Sequence, residues 1–374
     1  MSAFKFLSSI KLTVFCLLWL AVLTVWGTVY QVDNGIYQAQ ERFFDSIFFR
    51  FLIFPLPGGM LTMMLLFFNL CVSFFVHYQA GWRMPGLMLT HLGLILLLLG
   101  GFFTKVTGLE ASVSLLEGEG SNVAVSRSDW EISVAEELHS VREIQAVDFS
   151  DLKKRKRFHV GNPDLRFRVV ELHRNTSARG PKDLTDEQRA ELPLSPTGIT
   201  EFVPKRLAKE PPDNIPGIRL EVEGAKNATE MVLWGGDQQA AALELEDGSA
   251  VFVMLRRKRF ELPLFMELRD FRRTYYPGSN VPEDYRSLIT VYQGEDSQRE
   301  VVIKMNHPFR NNGWTFFQQS FAVMDDQAEQ SVFAVTRNFG RLIPYWGTGV
   351  TSLGLALHFL QMQLMQLKRR RKSA

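Results

Sequence analysis

Three of the seven histidines stand inside long uncharged runs, and these are the side chains best suited to chemistry in this sequence. His77, His91 and His358 fall in residues 51–82, 84–104 and 342–367. A polar group in hydrocarbon is costly and defaults to a functional reading. Two uses are open to such an imidazole. It hydrogen-bonds a carbonyl or serine across a helix pair, or it ligates iron, as axial histidines do in haem proteins. His91 and His358 occupy similar depths, near the basic end of their runs. Gly93, Gly100 and Gly101 follow His91 and admit either a neighbouring helix or a flat macrocycle. His77, nearer the interface, reads as structural.

Other chemistry is excluded or faint. The acidic residues are scattered, and neither HExxH nor GxSxG occurs. The two cysteines, Cys16 and Cys71, both fall in apolar runs, and no CxxCH is present. The chain is therefore neither a dithiol oxidoreductase nor a c-type cytochrome. The basic run at 153–157 reads as a solvated face or a contact with anionic groups, not as a nucleic-acid site, and the run at 256–259 reads as a solvated turn or as a stretch near lipid headgroups, haem propionates or a protein partner. His307 before Pro308 reads as structural, with an exposed ligand as the other use. Tyr275, Tyr276, Trp314, Phe316 and Phe317 supply a core or a recognition surface.

Four apolar runs must position the histidines: 12–30, 51–82, 84–104 and 342–367. Each supplies the roughly 20 residues that cross about 30 Å of hydrocarbon. Pro55, Pro57, Gly58 and Gly59 divide the second, placing its helix at about 59–77. The mean hydropathy is near zero because apolar ends average with a charged middle. Run 12–30 is too long for a signal-peptide core and reads as a retained helix. Lys5, Lys11, Arg83 and the tail Lys368, Arg369, Arg370, Arg371 and Lys372 put both termini in the cytoplasm by the positive-inside rule.

The expected fold is a membrane protein of four transmembrane helices with a large, mainly β extracytoplasmic domain between helices three and four. Residues 1–104 form the three-helix membrane region, with a Phe-rich outer loop at 31–57 that reads as a helix in the interface or packed on the bundle. Residues 105–341 form the periplasmic domain. Residues 342–374 form the last helix and a basic tail. Strand signals fall at 111–116, 122–125, 167–172, 219–222, 230–233, 249–255, 287–292 and 300–304, with turns at 161–163, 235–236 and 277–278. An antiparallel sandwich or open barrel follows. Residues 175–216, with seven prolines, read as an insertion or loop.

Several segments together resemble the ResB-like (CcsB) family of cytochrome c biogenesis proteins. KLTVFCLLWLAVLTVWGTVYQ, residues 11–31, looks like that family's first span, and HLGLILLLLG, residues 91–100, like its third. Tyr276, Pro277, Gly278, Pro282, Tyr285 and Ser287 look like its late outer-domain signature. Met305, Asn306, Pro308, Gly313, Phe317, Gln318, Ser320 and Phe321 continue it, and the likeness runs through Pro344 and Gly354.

The resemblance implies residence in the bacterial inner membrane and a role beside a multispan CcsA/ResC-like synthase subunit. Together they carry haem across the membrane and attach it to the CxxCH thiols of apocytochrome c. It also implies non-covalent haem b on His91, with the second axial ligand from the partner or, within the chain, from His358. No WWD-like cluster occurs, so the expected role is scaffold or haem-handling subunit, not synthase alone. Two other readings stand beside it: a b-haem electron-transfer subunit using both histidines, and a haem-free assembly scaffold.

Overall fold

The computed structural model describes residues 2–78, 84–135, 145–159, 165–180, 193–294, 297–324 and 328–373. The predicted turn at 161–163, Arg83, and part of the 175–216 segment lie outside them. The chain divides into two units. One comprises Met1–Leu109, Arg310–Thr315 and Thr336–Ala374; the other comprises Glu110–Phe309 and Phe316–Val335.

In the first unit, leucine, valine and phenylalanine fill long helical stretches without a charge. Helix α1 (Ser2–Leu7) leads into α2 (Ile10–Asn34), whose N-cap Ser9 accepts a hydrogen bond from the Lys11 amide. Gly35 ends α2 with φ +86°, a conformation that glycine adopts without steric cost. A short α3 (Ile36–Ala39) and a π-helical turn, Gln40–Phe44, follow. The strands β1 (Phe48–Phe51) and β2 (Phe54–Pro57) then pair as a hairpin. The Phe-rich loop, read from sequence as a helix in the interface or packed on the bundle, is thus a short helix, a π-helical turn and a hairpin, with Phe43 and Phe49 buried against α2. Pro55 and Pro57 do not suit a helix interior but are tolerated at a strand edge.

Helices α4 (Gly59–Tyr78) and α5 (Pro85–Thr107) follow, and α5 carries Pro85 in its first turn, where a missing N–H costs nothing. The last helix, α6, is Ile343–Ser373. Among the described residues three helices are long and apolar enough to cross a membrane, in α2, α4 and α5. Glutamines and the basic tail make α6 more polar.

Strands build the second unit, and residues 310–315 and 336–337 of the same strand set belong to the first. The strands are β3 (Leu109–Leu116), β4 (Gly120–Ala135), β5 (Gln145–Asp148), β6 (Arg157–Phe158), β7 (Arg166–His173), β8 (Thr176–Arg179), β9 (Glu201–Pro204), β10 (Gly217–Glu223) and β11 (Glu230–Trp234). β12 (Ala241–Glu244), β13 (Ala250–Tyr275), β14 (Pro282–Gln293), β15 (Ser297–Lys304), β16 (Phe309–Asn311), β17 (Trp314–Val323) and β18 (Glu329–Arg337) complete the set. The large sheet runs β15–β14–β13–β4–β3–β18–β17–β16, with β12 on β13 and β5 on β4. A smaller sheet runs β11–β10–β7–β6.

Alternation of apolar and polar residues gives each strand a buried face. Ile132, Val134, Phe167, Val169, Ile218, Leu220, Leu233, Val253 and Leu255 share one core between the small sheet and part of the large one. The 26-residue β13 organises this unit, pairing antiparallel with β4, β12 and β14. Its register with β4 breaks between Glu261 and Met266, where Pro263 has no N–H to donate. Within 175–216, β8 and β9 pair, and Ile199 and Phe202 are buried with Val232.

Candidate functional site

His91 sits in the second turn of α5. Its Nδ1 lies 2.8 Å from the Leu87 carbonyl oxygen. A carbonyl only accepts, so Nδ1 carries the proton and donates it. In the neutral ring Nε2 is then a free lone pair, and it makes no hydrogen bond among the described residues. A metal-binding histidine is commonly oriented in this way, with one nitrogen committed to a backbone carbonyl and the other left for the ligand bond.

His91 also lines a groove of about 810 Å³ between α2, α4 and α5, closed at Ser8 just before α2. Its walls are mainly apolar, including Leu17, Leu66, Leu70, Leu94 and Leu98. Polar atoms gather at one end. There the buried Asn69 accepts from the Thr13 hydroxyl at 2.6 Å and donates to the Leu7 and Ser9 carbonyls at 2.6 and 3.1 Å. Asn69 was not among the residues singled out from sequence, though one asparagine inside an apolar run is itself a signal. It ties α4 to the start of α2 and fixes that wall.

His358 is in α6, which packs on another face of α5. Its backbone nitrogen would stand 2.3 Å from a Cβ at Gly86, so the backbones of α5 and α6 touch there. Similar approaches bring Gly93 against Thr351 and Gly354 against Thr90. Gly86, Gly93 and Gly100 repeat every seven residues on α5, and all three are buried. Their closeness to α6 assigns Gly93 and Gly100 to helix packing. His91 is two residues before Gly93 and five after Gly86, about 200° and 140° around the helix. It therefore occupies the face of α5 away from α6. The structure places the two histidines on different sides of α5. His358 Nδ1 and, one turn later, Gln361 Oε1 are buried without hydrogen-bond partners among the described residues. His77 belongs to α4.

In the strand unit, the basic run 256–259 lies inside β13 and is not a solvated turn. Arg256 Nε bonds Glu131 Oε1 at 2.9 Å, and Lys258 pairs with Asp148. Arg257 lies 3.9 Å above the Trp130 ring and donates to the Pro212 carbonyl. Burial lowers the Arg257 pKa, opposed by Asp129 and Asp213. Asp237, which accepts from Thr197, is shifted up by burial.

Residues 153–157 are exposed, as a solvated face requires. His307 is an exposed turn residue. In the aromatic segment Trp314 and Phe316 are buried, while Tyr275, Tyr276 and Phe317 are exposed. Three buried polar residues of this region bond one another. Ser287 Oγ donates to Gln318 Oε1 at 2.7 Å, Gln318 Nε2 donates to Ser331 Oγ at 2.8 Å, and the two serine hydroxyls are 2.8 Å apart. Among the described residues no group of three or more His, Cys, Asp or Glu side chains is arranged to hold a metal ion.

Protein NrfI of Wolinella succinogenes is 23% identical over 364 residues, covering 96% of this chain and 35% of its own length. The chain thus spans about a third of that relative. Residues 220–359, from β10 into α6, match the ResB-like family. They include the Ser287–Gln318–Ser331 network and His358. By that match residues 220–359 are similar to the ResB-like family, in a membrane protein with several apolar helices.

Proposed function

We propose that this chain is a haem-handling subunit of a cytochrome c maturation system, with His91 as its iron ligand. The observation that carries the reading is the imidazole on the groove wall, with Nδ1 committed to Leu87 and Nε2 free. The donor set fits haem b better than a bare metal ion: one neutral imidazole amid apolar side chains, without a second ligand from Asp, Glu or Cys in the groove lining. Haem, when bound, supplies the iron porphyrin that the thiols of apocytochrome c capture. Leu87 orients the imidazole. The leucine walls exclude water. Cys16 and Cys71 sit in α2 and α4, so reduction of the client's thiols falls to another protein.

A multispan CcsA/ResC-like partner would supply a further ligand to the haem iron. His358 is the alternative within the chain, but it lies on the other side of α5, which also weakens the electron-transfer reading. In this reading α6 is the fourth span, both termini are cytoplasmic, and the strand unit is periplasmic, where it receives apocytochrome c.

Affinity purification in mild detergent from haem-replete cells tests the proposal. The wild-type complex is expected to show a Soret band and a co-purifying multispan subunit. His91→Ala should lose most of the haem while keeping the partner, and His358→Ala should keep both. A haem-free wild-type complex, or unchanged haem in His91→Ala, refutes the assignment and leaves the scaffold reading.

A further inference from the structure

The hairpin β1–β2 presents apolar side chains that stand exposed among the described residues. Leu52 and Ile53 at its turn are 81% and 82% exposed, and Phe48, Phe51 and Phe54 are also exposed. Leu52 holds φ +54° at a turn position that hairpins ordinarily give to glycine or asparagine. A bulky apolar side chain therefore occupies a place where local backbone preference disfavours it.

The depth of this hairpin follows from its neighbours in the same unit. The indole Nε1 of Trp19 donates to the Pro57 carbonyl at 2.9 Å. Trp19 is eight residues from Lys11 and fourteen from Asp33, the charges that bound the apolar run of α2. At 1.5 Å per residue that is about 12 Å from one charge and 21 Å from the other. The base of the hairpin thus stands beside the middle of α2. Farther along β1, Phe51 meets Trp26 with ring centroids 4.6 Å apart. Trp26 is still seven residues short of Asp33. A four-residue strand rises about 13 Å, so the turn stays near or below the end of the run.

The backbone is arranged for such a setting. Phe51 and Phe54 flank a two-residue turn, so alternation turns the backbone groups of Phe48, Arg50, Pro55 and Pro57 outward. Pro55 and Pro57 have no N–H, which removes both outward donors of β2. Trp19 satisfies the Pro57 carbonyl, and Arg42 Nη2 donates to the Arg50 carbonyl at 3.3 Å. Hydrocarbon tolerates a strand edge only when such groups are removed or paired. The Arg42 guanidinium lies 5.0 Å from the Tyr30 ring centroid, an aromatic and cationic pair of the kind found at a membrane interface.

We infer that the hairpin β1–β2 re-enters the bilayer leaflet at the C-terminal end of α2, with Phe48, Phe51, Leu52, Ile53 and Phe54 against lipid acyl chains. The test uses the unaltered protein in proteoliposomes containing a phospholipid with a photoactivatable carbene precursor on its acyl chain. After illumination, peptides spanning residues 48–54 should carry adducts at a level similar to the exposed face of α2 and at least fivefold above a β12–β13 peptide. A water-soluble carbene reagent should give the reverse order. Labelling of 48–54 by the water-soluble reagent alone overturns the inference, because the hairpin is then in water. Labelling by neither reagent also overturns it, because protein then covers the hairpin.

Discussion

At the level of single residues, this protein places charge where a partner already waits. Glu131 is almost wholly buried, and its carboxylate meets Arg256, whose side chain is 13% exposed. Removing one member of such a pair leaves the other as an uncompensated buried charge. Glu131→Ala is therefore expected to lower stability by about 3–5 kcal/mol, read by chemical denaturation of the full chain in detergent. Replacing both by apolar residues, Glu131→Leu with Arg256→Met, should cost much less. Equal losses in the single and double variants would show that packing, not charge, governs the site. His91 follows a related rule: its backbone bond sets the ring before any ligand arrives.

At the level of elements, the α5–α6 pair depends on missing side chains. A Cβ at Gly93 would stand 2.1 Å from Thr351 Oγ1 and 2.6 Å from its backbone nitrogen, whereas one at Gly101 meets nothing within 4 Å. Gly93→Leu should separate the helices and cost about 1–3 kcal/mol or more, the usual penalty for overpacking. Gly101→Leu should be neutral or slightly stabilising, because leucine favours a helix over glycine. Thermal unfolding in detergent compares them. The two variants behaving alike would mean that α5 and α6 do not touch at Gly93. The same spacing separates roles on α5, with glycines toward α6 and His91 toward the groove.

At the level of the whole molecule, sidedness remains the proposal on which delivery depends. Ser249→Cys in the strand unit should react with an impermeant maleimide in spheroplasts, while Lys368→Cys in the basic C-terminal stretch of α6 should react only after permeabilisation. Reversed labelling would put the strand unit in the cytoplasm and end the proposed route to an exported apocytochrome.

The sequence alone determined the elements whose cause is local. Uncharged runs with flanking lysine and arginine marked apolar helices. Alternating strands such as 167–172 and 287–292 were legible because a two-residue period is written in the chain itself, and they lie within β7 and β14. The likeness to the ResB-like family could be read from the order of its motifs. Only the tertiary structure decided what those elements meet. It turned the 256–259 run into internal partners of Glu131, Asp148 and Trp130, because residues distant in sequence lie on the facing strand or at its edge. It folded the Phe-rich loop back along α2 through the Trp19–Pro57 bond. It set His91 and His358 on different sides of α5. Side-chain facing and long-range pairing depend on how helices and strands pack together, and packing partners leave no fixed spacing in one sequence.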